Sequence, residues 1–241
     1  MNLVIDFGNT RIKAAFYEHT RLLKDFVFAN ALELGKSGLI EENFQHCLIS
    51  TVTKEHSGFI ETLKSKSNLL VFSDQTPIPI INSYKTPQTL GSDRILAAIG
   101  SFSSFPNQNV LTIDAGTCIK YNFVNYKNEF QGGGISPGMS MRLKAMHNFT
   151  AALPLYEPEE KFDLLLGNDT KTSMLSGAQI GAACEIDEVI SRYKFIYPDL
   201  KVVLTGGDAQ YLSGQLKNPF FANQNNLLLG LNTVLLYNLE D

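Results

Sequence analysis

The sequence predicts an α/β protein made of two duplicated lobes, each a mixed sheet flanked by helices, and three observations predict it. Residues 5–13 read IDFGNTRIK and residues 113–120 read IDAGTCIK, so one acidic, glycine-containing phrase is stated twice. Each copy lies in the same succession of patterns, strand, turn, strand, strand, and each succession is followed by further helical and strand material. The composition, 44% hydrophobic and 18% charged over 241 residues, suits one large or two small globular domains and leaves disorder or fibrous structure a poor fit.

In chain order, NLVIDF is a strand, the glycine and Asn-Thr that follow make a tight turn, RIKAAFYE alternates as a second strand and RLLKDFVFA continues as a third. CLISTV and LLVFS read as strands around a helical HSGFIETLKSK. SDRILAAIGSFSSF carries Ile95, Ala98, Ile99, Phe102 and Phe105 at helical spacing, and Pro106 ends that helix. Strand order restarts after the polar stretch Pro106-Asn107-Gln108-Asn109, which sets the expected lobes at 1–108 and 109–241, facing each other across a cleft. NVLTID, CIKYNFV and KNEFQGG repeat the three strands. SPGMSMRLKAMH begins a helix with Pro137 close to its first position, and 173–197 reads as one long helix with Leu175, Ala178, Ala182, Ile186, Val189 and Tyr193 on its apolar face. KVVLTGG is a buried strand meeting a glycine turn, and NNLLLGLNTVLLYNL closes the chain as a helix.

The formal net charge of −4 gives no global attraction for nucleic acid or anionic lipid, so an anionic substrate must be held by local cations. Cys47, Cys118 and Cys184 are far apart, odd in number and set among apolar or small residues, a pattern of buried thiols rather than disulfides or a zinc cluster. Asp6 interrupts the first apolar run, and no window approaches the roughly 18 apolar residues a membrane span needs. A cytoplasmic protein without nucleic-acid or membrane partners is expected. His19, His46, His56 and His147 show no ligand spacing.

An aspartate at the end of a buried strand, followed by a glycine turn, leaves backbone N–H groups pointing outward beside a carboxylate. Such a turn can cradle phosphate while the carboxylate holds a cation. Asp6 with Gly8, Asn9 and Thr10 forms one, with Lys13 on the strand leaving it; Asp114 with Gly116 and Thr117 forms the other. A single such turn is equally an ordinary hairpin capped by its aspartate, and it is the duplication that shifts the reading toward function. A third turn, Leu204-Thr205-Gly206-Gly207-Asp208, ends a strand and opens a helix, which lets backbone approach a nucleotide closely. Neither the P-loop pattern nor GxGxxG occurs at these turns. Ahead of the helix carrying Ile95 to Phe105, Gly91-Ser92-Asp93-Arg94 offers a proton acceptor beside a carboxylate clamp, with Ser92 or Asp93 as a plain helix cap the structural alternative.

Duplicated strand-turn-strand lobes with two acidic turns and a later GG turn resemble the superfamily of acetate and sugar kinases, actin and the heat-shock chaperone ATPase. That resemblance implies two actin-like (ribonuclease H-like) lobes with ATP in the cleft between them and Gly206 and Gly207 beside its adenosine. DFGNT at 6–10, GSDR at 91–94, DAGT at 114–117, GGGISPG at 132–138 and Thr172 shortly before Ser176-Gly177 narrow it further, because in this order they resemble the type III pantothenate kinases. That family more often shows GADR, so Ser92 departs by one small residue. The resemblance implies transfer of the ATP γ-phosphoryl group to the primary hydroxyl of pantothenate, giving 4'-phosphopantothenate in the first step of coenzyme A synthesis. It also implies a homodimer. By position it assigns Asp6, Phe7, Gly8, Asn9, Thr10, Arg11, Ile12 and Lys13 to the ATP phosphates, with Asp6 at Mg2+, directly or through water. Asp93 takes the hydroxyl proton; Gly91, Ser92, Asp93 and Arg94 hold pantothenate, with Tyr84 and Thr172 as further contacts. Asp114 matches a ligand of K+ or NH4+, and Thr117 an ATP contact.

Phosphoryl transfer is mostly positioning and charge neutralisation, so a strong base is not required of Asp93, and the helix macrodipole favours its anion. A guanidinium at Arg94 can pair with both oxygens of a carboxylate, which lysine cannot do. GGGISPG reads either as a loop whose glycines allow close approach to phosphate or as a connector into a helix. Gly177 and Gly181 read as tight helix packing or as a contact between helices of two subunits. A catalytically silent regulatory ATP-binding protein on the same scaffold is the main alternative, and an actin-like or chaperone-type ATPase the second.

Overall fold

The structure, a computed structural model, describes residues 1–8, 10–51 and 57–239. Asn9, Val52 at the end of the CLISTV strand and His56 at the head of the following helix lie outside the described residues. The chain forms two compact units, one of Met1–Pro106, Asn128–Phe130 and Asn225–Asp241, the other of Asn107–Lys127 and Gln131–Gln224.

The first unit is built on a mixed sheet of five strands, β1 (Asn2–Phe7), β2 (Ile12–Glu18), β3 (Arg21–Phe28), β4 (His46–Thr51) and β5 (Asn68–Val71), in the order β3-β2-β1-β4-β5. β1 runs antiparallel to β2 and parallel to β4. Its central place explains its sequence: Leu3, Val4 and Ile5 are fully buried, as a strand covered on both faces requires. Helix α1 (Ala31–Lys36) is capped by Asn30, whose side chain accepts from the N–H groups of Leu32 and Glu33 at 3.0 Å each. Phe59 and Ile60 of α2 (Ser57–Lys66) pack on the core formed by Leu3, Ile5, Phe16, Cys47 and Ile49. The two-residue strand β6 (Ile81–Asn82) pairs in parallel with Glu129 and Phe130, and α3 (Ser92–Ser104) follows.

The second unit repeats the motif. β7 (Val110–Ala115), β8 (Cys118–Val124), β9 (Glu129–Pro137), β10 (Lys201–Thr205) and β11 (Phe221–Ala222) take the order β11-β10-β7-β8-β9, with β7 antiparallel to β8 and parallel to β10. Leu111, Ile113, Tyr121 and Phe123 of this sheet pack against Ile186 and Ile190. Helix α4 (Met139–Phe149) starts one residue beyond Gly138, so Pro137 ends β9 instead of opening the helix, and the glycine run belongs to a strand. Gly133, at φ +149°, accounts for this: a Cβ there would overlap the carbonyl oxygen of Tyr121 on the neighbouring strand.

The single helix expected over 173–197 is three pieces, α5 (Thr170–Leu175), a π turn over Ser176–Ile180 and α6 (Gly181–Ile196). The fully buried Gln179 explains the interruption, because its side-chain amide accepts from Glu159 N–H and donates to Glu159 C=O, both at 2.9 Å. A Cβ at Gly177 or Gly181 would meet nothing within 4 Å, so neither glycine serves tight packing within this chain. Helix α7 (Ala209–Ser213) follows the GG turn, and α8 (Asn226–Tyr237) returns to the first unit. There α8 crosses α3 at two glycines: a Cβ on Gly100 would overlap the carbonyl oxygen of Asn226, and one on Gly230 that of Leu96. Of the three cysteines only Cys47 is buried, its thiol pushed up to about 12 by burial; Cys118 is half-buried and Cys184 exposed, against the expectation of three buried thiols. Among the described residues no helix is long and apolar enough to cross a membrane.

Candidate active site

In the first unit the acidic turn leaves the end of β1. Asp6 stands in register with Lys13 on β2 and with Ser50 on β4, so the pleat puts a cation and a hydroxyl beside the carboxylate. A Cβ on Gly8 would lie 2.9 Å from the carbonyl oxygen of Arg11 and 3.3 Å from Asp6 Oδ2, and this is the close approach for which the turn needs glycine. Phe7 and Ile12 are buried in the core and anchor the turn at its two ends, whereas Thr10 and Arg11 are exposed.

Ser50 continues this cluster to the head of α3, where its Oγ lies 3.3 Å from Ser92 Oγ. Gly91 occupies the cap position of that helix; neither Ser92 nor Asp93 does. Asp93 Oδ1 accepts from the N–H of Arg94 at 2.9 Å, and a Cβ on Gly91 would come within 2.5 Å of the same oxygen. Arg94 is only 5% exposed. Its guanidinium carbon sits 5.5 Å from the centre of the Tyr84 ring, and Nη1 donates to Tyr84 Oη at 3.5 Å. The Tyr84 ring in turn packs 6.1 Å from Phe130. Asp6, Lys13, Ser92, Asp93, Arg94 and Tyr84 are thus joined in one unit. Ser50 was not picked out from the sequence; its signal is a polar residue near the end of CLISTV, meaningful only once β4 pairs with β1.

In the second unit Asp114 stands opposite Lys120, and the two form an ion pair of 2.9 Å between side chains 19% and 23% exposed. The GG turn lies against this turn. Gly206, at φ +100°, is where a Cβ would overlap the carbonyl oxygen of Ala115, and that oxygen accepts from the N–H of Asp208 at 3.0 Å. Burial, and then the charge of Asp114, pushes the Asp208 carboxyl up to about 6. Thr117 offers its carbonyl oxygen to Gly138 N–H at 3.1 Å, and a Cβ on Gly138 would overlap the carbonyl oxygen of Gly116. Asp114, Thr117, Gly206 and Gly207 therefore belong to one cluster, joined by Lys120 and Asp208, which the sequence reading did not assign. Thr172 has a different setting. Its hydroxyl accepts from the N–H groups of Asn168 and Asp169 and donates to Asp169 Oδ1 at 3.0 Å, closing the capping box of α5.

Two mixed sheets, each with an acidic glycine turn leaving a central strand, define the class: an actin-like ATPase fold of the sugar-kinase type. The ROK hexokinase of Thermus thermophilus shares it at TM-score 0.53 and 15% identity, over 99% of both chains. A conserved Baf-family protein from Campylobacter jejuni shares it at TM-score 0.62 and 18% identity, over 99% of this chain and all of that one. The family model for type III pantothenate kinase matches residues 2–192, and the type III pantothenate kinases of Christiangramia forsetii and Flavobacterium johnsoniae are 42% and 38% identical. The first alignment covers 99% of each chain and the second all of both. The chain belongs to the type III pantothenate kinase family.

Proposed function

We propose that this protein phosphorylates pantothenate on its primary hydroxyl at the expense of ATP, the first step of coenzyme A biosynthesis. Beyond the family match, one observation carries the reading: Asp93 and the buried Arg94 stand side by side at the head of α3, tied through Ser92 and Ser50 to the strand that carries Asp6. Asp93 accepts the proton of the attacking hydroxyl, and Arg94, stacked on Tyr84, pairs with the pantothenate carboxylate. Gly91 and Ser92 complete that contact, and Thr172 adds to it. Residues 6–13, through turn N–H groups and Lys13, hold the ATP phosphates; Thr117 supplies an ATP contact, and Gly206 and Gly207 lie beside the adenosine.

The Asp6 carboxylate beside a Gly8 backbone that a Cβ would crowd suits Mg2+, which takes hard oxygen ligands and supplies charge neutralisation to the transferring phosphate. Asp114 with Asp208 near it concentrates negative charge beside its ion pair with Lys120, which suits a monovalent cation, K+ or NH4+. A cytoplasmic homodimer is part of the same reading, and sedimentation equilibrium reads the association. The decisive experiment measures ADP release from ATP, Mg2+ and K+ with and without pantothenate. Pantothenate-dependent release with 4'-phosphopantothenate formed is expected; release indifferent to pantothenate would remove this function.

A further inference from the structure

We propose that Glu185 of α6 is a positioning residue for the 114–117 turn, acting through Arg142 on the segment 136–138. The inference rests on the kinase reading above, in which that turn holds cation and ATP. Neither Glu185 nor Arg142 falls in any of the sequence motifs discussed above.

The Glu185 carboxylate collects donors from three elements. Oε1 accepts from Tyr121 Oη of β8 at 2.9 Å; Oε2 accepts from Ser136 Oγ of β9 at 3.0 Å and from Arg142 Nη2 of α4. Arg142 closes the other side, donating through Nε to Pro137 C=O at 2.9 Å and through Nη2 to Ser136 Oγ at 3.0 Å. Residues 136 and 137 are therefore gripped between a carboxylate and a guanidinium. The next residue, Gly138, donates to Thr117 and lies so close to Gly116 that no side chain fits. A displacement of 136–138 must move the turn or break its bond to Thr117.

The charges suit a fixed clamp. Burial raises the Glu185 pKa, but the hydrogen bonds from Arg142, Ser136 and Tyr121 outweigh it and hold the carboxyl below the usual range, so it is an anion at neutral pH. Burial, followed by the hydrogen bond to Glu185, pushes the Tyr121 phenol well above its usual range, so it remains a donor. Charge-assisted bonds of this kind are roughly twice as strong as neutral ones.

Glu185→Gln keeps the shape and removes the charge. The test measures equilibrium binding of a non-hydrolysable ATP analogue in K+, the steady-state constants, and Tm as a check of folding. Expected are about 10-fold weaker analogue binding and a matching rise in ATP KM and in the K+ needed for half-activation. The pantothenate KM should stay within about twofold. Arg142→Gln should reproduce this pattern, and the double variant should add little to either single change. Where Glu185→Gln does not fold, Ser136→Ala removes one donor and leaves the ion pair, and should raise the ATP-side constants alone by a smaller factor. Unchanged analogue binding in a folded variant, or ATP and pantothenate constants rising together, would overturn the proposal. Wild-type enzyme lacking pantothenate-dependent ADP release would instead sink the kinase reading itself.

Discussion

At the scale of single residues, the proposed chemistry rests on two neighbours given different duties. Asp93→Asn preserves volume and removes the proposed proton acceptor, so kcat should drop roughly 100-fold or more while ATP and pantothenate still bind. Turnover near normal would take Asp93 out of that role. Arg94→Lys keeps the charge but loses both the bidentate fork and the flat face that lies on Tyr84. It should raise the pantothenate KM far more than the ATP KM, and equal rises would count against the clamp. Both residues were legible in the sequence because a glycine, an acid and a base ahead of an amphipathic stretch form a local signal. Ser50, Lys120 and Asp208 were not singled out, since their relation to Asp6 and Asp114 exists only through strand register and turn packing.

At the scale of elements, the crossing of α3 and α8 gives a sharp test of glycine's role. Gly100→Ala drives a methyl into the Asn226 carbonyl and should destabilise the protein by about 1–3 kcal/mol, read as a lower Tm. Gly181→Ala, with open space around its Cβ, is the matched control and should gain or lose less than about 1 kcal/mol. If both variants melt alike, the close approach at the crossing is not what stabilises it. The duplicated strands were readable because alternation and turn residues are local properties of sequence. The break in the 173–197 helix was not, because Gln179 pairs with Glu159, twenty positions away, and apolar spacing carries no trace of that. The third strand was read only as far as Gly133, and its continuation through Gly134 to Pro137 was hidden, because GGGISPG reads by composition as a loop, whereas at Gly133 the Tyr121 carbonyl leaves no room for a side chain.

For the molecule as a whole, the expected cation dependence is a direct readout: with sodium as the only monovalent cation, activity should collapse, and equal rates in sodium and potassium would remove Asp114 from its assigned role. The return of α8 to the first unit has a different consequence, for the order in which the chain is completed. Asn232 of α8 donates to the carbonyl oxygen of His19 at 2.7 Å and accepts from Asn2, and Asn238 donates to Pro77 at 2.9 Å. The second unit is in effect an insertion inside the first. During synthesis the ribosome releases the whole inserted unit before it delivers the helix that seals the opening strands, so the part of the protein made first is the part finished last.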